Sequence, residues 1–232
     1  MKKIYEGKAK EVYETENKDE YIIKYKDTAT AGNGEKKEDF EGKGALNLKI
    51  TTIIFEMLEK ANIKTHYIET LSDSEMKVKK VEILPLEVIV RNISAGSFAK
   101  RYGVDEGIVF ENPTFELSYK NDDLGDPLMC EDHAIALGLI TKKEYDYIKE
   151  ETLKINSLLK EFFININLKL VDFKIEFGKD KDGNIILADE ISPDTCRLWD
   201  KDTNEKLDKD IFRRNLGSLT KGYEEVLKRM QK

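Results

Sequence analysis

Eleven residues constrain this chain more than any others: Leu168-Lys-Leu-Val-Asp-Phe-Lys-Ile-Glu-Phe-Gly178. In a strand, successive side chains point to opposite faces. Val171, Phe173, Ile175 and Phe177 then share one apolar face, and Asp172, Lys174 and Glu176 share the other. An acid, a base and an acid stand at two-residue spacing on a strand that is otherwise core. A solvated strand face carrying a charge ladder fits this pattern. So does the wall of a site, with carboxylates to hold a hard cation and a lysine to hold phosphate.

Neighbouring segments carry matching chemistry. A second strand, 185–190, ends in Asp189-Glu190 and leads into Ile-Ser-Pro-Asp194-Thr-Cys-Arg197. Oxygen ligands from two adjacent strands suit Mg²⁺ held against phosphates. Alone, Asp189 reads equally well as a strand-end carboxylate capping a turn. Glu6-Gly7-Lys8-Ala9-Lys10 lies between two short strands, where a glycine turn with two lysines either closes over a polyphosphate or forms an ordinary hairpin. No GxxxxGK[ST] and no GxGxxG occurs; Gly42-Lys43 comes nearest, but Lys37 stands where the first glycine belongs. Arg91-Asn-Ile-Ser-Ala-Gly96-Ser97 follows a strand and opens a short helical pattern, Phe98 to Tyr102, closed by Gly103. Free amides at a helix start beside an arginine suit an anion, and a capped helix beside a surface arginine has the same sequence. His66 and His133 have no partner at catalytic or metal spacing. Lys77-Val78-Lys79-Lys80 reads as a solvated strand edge.

The order of elements gives the fold class. Short apolar runs at Ile4-Tyr5, Val12-Tyr13 and Tyr21-Ile22-Ile23 predict antiparallel strands. Leu46, Ile50, Ile53, Ile54, Met57, Leu58 and Ala61 predict a helix packed on them. Residues 66 to 91 return to strand character. Thr141 with Glu144 is a capping box that opens a second long helix. A last helix is predicted over about 210–230. Strands first, a mixed middle and a helical end favour an α+β protein of two lobes over a parallel doubly wound sheet. The lobes are expected at 1–82 and 83–232.

Composition excludes other classes. With 40% hydrophobic residues among 232, the chain can build a core. Lys plus Arg number 39 against 46 Asp plus Glu, a net charge of −7, which does not suit a nucleic-acid backbone. The longest apolar runs are four residues, Ala134–Leu137 and Ile185–Ala188, far from the roughly 20 a membrane span needs. The apolar stretch of a signal peptide is missing from the N-terminus. Cys130 and Cys196 form no CxxC and read as free thiols of a reducing cytoplasm.

Taken together, these segments resemble the SAICAR synthetase (phosphoribosylaminoimidazole-succinocarboxamide synthase) family of purine biosynthesis. Leu84-Pro-Leu-Glu-Val-Ile-Val-Arg-Asn-Ile-Ser-Ala-Gly-Ser97 is similar to one family signature and Leu170-Val-Asp-Phe-Lys-Ile-Glu-Phe-Gly178 to the other. Tyr5–Lys10, Asp189–Asp194 and Arg197–Asp200 fit in order, so the resemblance runs from residue 5 to about 225. It implies an ATP-grasp-like fold with the active site in the cleft between two lobes. It implies a ligase that joins L-aspartate to the carboxylate of 5-aminoimidazole-4-carboxyribonucleotide (CAIR), giving SAICAR, ADP and phosphate through an acyl phosphate. ATP and Mg²⁺ are the implied cofactors, a cytoplasmic homodimer the implied assembly, and no nucleic acid or membrane is involved. On this reading Lys8, Lys10, Lys79, Glu176 and Asp189 bind the nucleotide, Glu176 and Asp189 also binding the metal. Arg91, Ser97 and Arg197 hold the ribonucleotide. Lys174, Asp172 and Asp194 are catalytic, the two aspartates facing the imidazole end or a second metal. Asn33 stands where the family has Asp or Asn and keeps the hydrogen bonding without the charge. Lys201, Lys209, Arg213 and Arg214 are unranked candidates for the aspartate pocket. Two rivals predict other products. A kinase-like phosphotransferase needs no aspartate, though no HRD-type loop or DFG is present. A nucleotide sensor needs no metal carboxylates, which are all present.

Overall fold

A computed structural model describes residues 2–232; the side chain of Asn33, and with it the reading of that position, lies outside the described residues. The first strands are β1 (Lys3–Glu6), β2 (Lys10–Glu14) and β3 (Glu20–Tyr25), an antiparallel meander as the alternation predicts. β4 (Thr28–Ala31) and β5 (Lys36–Asp39) form a separate hairpin. Helix α1 (Lys43–Lys60) follows, then β6 (Tyr67–Thr70) and β7 (Glu75–Lys79), which complete a five-stranded sheet in the order β1-β2-β3-β7-β6. Leu48, Thr51, Ile54, Phe55 and Leu58 of α1 recur at three and four and are fully buried. They pack against Ile23, Tyr25, Met76 and Val78 of the sheet. The predicted stripe is therefore turned slightly. Leu46 faces a second apolar cluster with Ala29, Ile211, Phe212, Leu219 and Tyr223.

The chain then crosses to a second sheet at β8 (Glu82–Ile83), which pairs with the far end of β12 (Leu168–Lys179). Between them lie β9 (Leu86–Ile93), α2 (Gly96–Tyr102), β10 (Val109–Tyr119), β11 (Leu128–Met129), α3 (Glu131–Ala136) and α4 (Lys142–Asn165). β13 (Ile185–Ala188) and β14 (Cys196–Asp200) complete seven antiparallel strands in the order β11-β10-β9-β12-β13, with β14 and β8 also on β12. Thr141 Oγ1 accepts from Glu144 N at 3.2 Å and Glu144 Oε2 accepts from Thr141 N at 2.7 Å, so the expected capping box opens α4. Tyr145, Ile148, Ile155, Leu159 and Phe163 press α4 onto β9 and β12. That packing buries one face of β12, and the charged face turns to the cleft.

Three predicted boundaries change. The strand over 185–190 stops at Ala188, because Asp189 takes a left-handed φ of 63°. The helix over 210–230 is two pieces, α5 (Asp210–Arg213) and α6 (Leu219–Met230), broken where Asn215 and Gly217 take φ of 55° and 146°. Leu216, inside the predicted helix, is exposed in that break. The short helix after Arg91 begins at Gly96, not Phe98.

A second tie joins the sheets. Thr65 forms a parallel bridge with Leu187, and His66 N donates to Leu187 O at 2.8 Å. One apolar cluster runs from Ile23 through Leu187 to Leu198, so the lobes share a core. No helix among the described residues is long and apolar enough to cross a membrane.

Candidate active site

The charged face of β12 meets two clusters, one at each end. The first gathers lysines and carboxylates from five segments. Lys174 Nζ lies 2.7 Å from Glu176 Oε1, 3.2 Å from Asp189 Oδ2 and 3.5 Å from Glu87 Oε1. Cross-strand pairing sets Glu176 opposite Ala188, which brings Asp189 beside Lys174. The register unreadable in the sequence is thus supplied by the hairpin. From the first sheet, Lys10 Nζ pairs with Asp189 and lies 3.3 Å from Glu190 Oε1. A tight turn, with Gly7 N donating to Lys10 O at 2.8 Å, places it there. Lys120, after β10, pairs with Glu176.

Burial alone would push the Asp189 carboxyl up, but Lys10, Lys174 and Lys120 outweigh it and hold the group well below the usual carboxylate range. The carboxylates likewise outweigh burial at Lys10 and Lys174 and hold both firmly protonated. Glu87 has less help and burial pushes its carboxyl up. Beneath the cluster, His66 is fully buried and its proton affinity falls to about 3, through burial and then Lys10.

The second cluster lies at the other end of β12. Asp172 Oδ2 receives Arg91 Nη1 at 2.9 Å and Arg197 Nη1 at 2.8 Å. Arg91 also donates to Glu116 Oε1 at 2.9 Å and to Ser97 Oγ at 3.3 Å, and Arg197 donates to Asp210 at 3.0 Å. A side chain at residue 96 would collide with the Arg197 guanidinium, and φ there is 52°, so glycine is required. The first amide of α2, Gly96 N, donates to Glu106 Oε1 at 2.8 Å, and Glu106 pairs with Arg214. An internal carboxylate therefore takes the place expected for an anion.

Among the expected site residues, Lys10, Lys174, Glu176 and Asp189 come together, and so do Arg91, Ser97 and Arg197. Asp172 and Asp194 lie outside the lysine and acid cluster, each held by other side chains. Asp172 is buried between two arginines. Asp194 accepts from Lys43 at 2.5 Å, Asn47 Nδ2 at 2.8 Å and Tyr223 Oη at 2.6 Å. These bonds come from α1 and α6, so Asp194 locks those helices to the loop after β13. Lys79 is outside the first cluster, its Nζ donating to Thr65 O at 3.0 Å. Lys8 reaches across the cleft mouth to Asp122 at 2.7 Å. Lys120, Glu87 and Glu116 escaped the sequence reading, since only the strand order β10-β9-β12 brings them to the site.

No group of three metal-ligating side chains exists among the described residues. Mg²⁺, however, is usually bound by one or two carboxylates together with substrate phosphates. Glu176 and Asp189, bridged here by the Lys174 ammonium, are such a pair.

The profile of the SAICAR synthetase family matches residues 3–230. The chain belongs to that family. It is 78% identical over 231 residues to phosphoribosylaminoimidazole-succinocarboxamide synthase of Finegoldia magna, with both chains fully covered. Its fold matches a crystal structure of the synthase from Ehrlichia chaffeensis with a TM-score of 0.97 at 47% identity, covering 99% of this chain and 98% of that one. A SAICAR synthetase in complex with ADP matches with a TM-score of 0.95 at 48% identity, covering 97% and 96%. The two-lobed α+β architecture is thus that of SAICAR synthetases.

Proposed function

We propose that the cleft joins L-aspartate to the carboxylate of CAIR with cleavage of ATP, the division between residues 82 and 83 separating a nucleotide-binding lobe from a substrate-binding lobe. The observation that carries this reading is β12. Lys174 and Glu176 belong to the cluster of lysines and acids, and Asp172 belongs to the cluster of arginines. One rigid strand therefore sets the separation between a polyphosphate site and a ribonucleotide site. A relative of similar fold binds ADP, which supports nucleotide at the first cluster.

A carboxylate is a poor acyl donor, because its leaving group is oxide. Attack of one CAIR carboxylate oxygen on the γ-phosphorus forms an acyl phosphate and releases ADP. The aspartate amine then forms a C–N bond to the acyl carbon as the C–O bond to phosphate breaks. Two protons leave the aspartate ammonium; the released phosphate takes one and water takes the other. Lys10 and Lys174 give up their carboxylate partners to phosphate oxygens, and Lys8 closes over the nucleotide. Glu176 and Asp189, freed from lysine, would hold Mg²⁺, which would supply positive charge to spread that of the transferring phosphoryl group. Arg91, Ser97 and Arg197 hold the ribonucleotide. Asp172 keeps both guanidiniums in place, and Asp194 holds the loop between the clusters.

The test is ADP release from ATP, Mg²⁺ and CAIR, with and without L-aspartate. Aspartate-dependent release, with a succinyl-amide product by mass spectrometry, is expected. Release indifferent to aspartate would replace the ligase with a phosphotransferase.

A further inference from the structure

Nearly every cation along the cleft has its own carboxylate. Lys10 and Lys174 share Asp189, Lys43 has Asp194, Arg91 and Arg197 share Asp172, and Arg213 has Asp210. Lys209 is the exception. It is half-buried, yet among the described residues no carboxylate oxygen lies within 4.0 Å of its Nζ and no hydrogen bond leaves it. A half-buried cation with neither ion pair nor hydrogen bond has lost part of its hydration without replacement. Such a group marks the place of an anion that arrives from outside.

The backbone fixes where that place is. Lys209 N donates to Pro193 O at 3.0 Å. Pro193 stands midway along the loop from Asp189, in the lysine and acid cluster, to Arg197, in the arginine cluster. The charges around the ammonium belong to Asp194, Arg213, Lys43 and Glu190. Asp194 exerts the strongest pull on it, but Asp194 bonds to Lys43, Asn47 and Tyr223, and neither of its oxygens lies within 4.0 Å of Lys209 Nζ. Burial first of all, and then Arg213 and Lys43, lower the proton affinity of Lys209, and a bound anion would restore it. The other late-chain cations are engaged or remote. Arg213 and Arg214 pair with Asp210 and Glu106, and Lys201 is an exposed turn residue.

We propose that Lys209 receives a carboxylate of the amino-acid substrate, L-aspartate, and so sets its affinity. This rests on the ligase reading. Phosphates of ATP have Lys10, Lys174 and Lys8, and the ribonucleotide has Arg91, Ser97 and Arg197. The dicarboxylate brings two further negative charges to a point between them. Lys209 is the unpaired cation at that point.

The experiment compares wild type, Lys209→Met and Lys209→Arg, following ADP release while each substrate is varied in turn. Methionine keeps the apolar stem and removes the charge; arginine keeps the charge and guards against a loss of fold. In Lys209→Met the KM for aspartate should rise about 10- to 100-fold, the effect of losing one charged contact. The KM values for ATP and CAIR should stay within about twofold, and Lys209→Arg should recover part of the loss. Succinate, which has both carboxylates and no amine, should inhibit wild type competitively with aspartate and weaken in parallel. An unchanged aspartate KM in both variants overturns the proposal, as does a rise confined to the KM for CAIR. Wild type that forms no amide overturns the ligase reading itself, whatever the variants do.

Discussion

At the residue scale, Lys174 ties the first cluster together. Its ammonium touches Glu176, Asp189 and Glu87 at once. When polyphosphate binds, the same charge must move to a transferring phosphoryl group. Removing one preorganised donor of this kind costs about 10²–10³ in kcat. Lys174→Ala is expected to lose that much turnover. The fold should persist, because Lys120 still pairs with Glu176 and Lys10 with Asp189. Stopped turnover with ADP still bound, read by calorimetry, fits a catalytic lysine. Undiminished turnover would remove Lys174 from the chemistry.

At the element scale, β12 organises the molecule, and it was also the most legible element. Its alternation survives from Asp172 to Phe177, where α4 covers one face and the cleft keeps charges on the other. Val171 departs from the predicted face, because the pairing with β14 shifts between Leu170 and Asp172, and it joins Ile93, Ala95 and Trp199 instead. β10 was not legible. It carries Asn112-Pro113, which reads as a turn, yet the structure fits the proline where the pairing with β9 shifts between Val109 and Thr114. Lys120 follows that strand, so it was missed with it, and nothing local in Lys120-Asn-Asp announces a partner 56 residues on. Arg91 and Lys174 were legible because each sits inside a strand pattern that fixes its face. Gly178 near the end of β12 allows the chain to cross between lobes. A Cβ there would lie 2.7 Å from Val81 Cγ2 and 3.1 Å from Glu82 O. Backbone cannot retreat as a side chain can, so Gly178→Ala should wedge β8 from β12. Overpacking of this kind costs about 1–3 kcal/mol. A urea titration should show that loss, and an unchanged midpoint would mean that the crossing is loosely packed.

At the scale of the whole molecule, paired charges set how stability responds to acid. Asp189, Asp194 and Asp210 are held below the usual range by lysines and arginines despite burial, and Arg214 draws Glu106 down to about 2. An unfolded chain takes up these protons near pH 4, so this stability is fully present above pH 4 and is lost progressively as pH falls from there toward the lower folded values. Two buried groups act earlier and oppose each other. His66 binds its proton near pH 6.5 when unfolded and only at about 3 when folded, so stability falls with falling pH between those values. Asp208 is pushed up to about 7 by burial and then by Asp210, so the folded chain holds its proton where the unfolded chain has lost it. Stability from that group rises as pH falls from 7 toward 4. One proton corresponds to about 1.4 kcal/mol per pH unit in each direction. The two slopes therefore oppose each other between about pH 6.5 and 4.5, with Glu87, also raised by burial, adding to the Asp208 side, and a steep loss follows below. His66→Gln removes one side of the balance. Relative to wild type, its stability should gain about 1.4 kcal/mol for each pH unit of acidification across that window. Urea midpoints taken from pH 7 to pH 4 measure the difference in slope, which does not depend on how far the substitution shifts stability overall. Parallel curves for the two proteins would mean that His66 protonates alike folded and unfolded, and that the imidazole beneath Asp189 is not sealed from water.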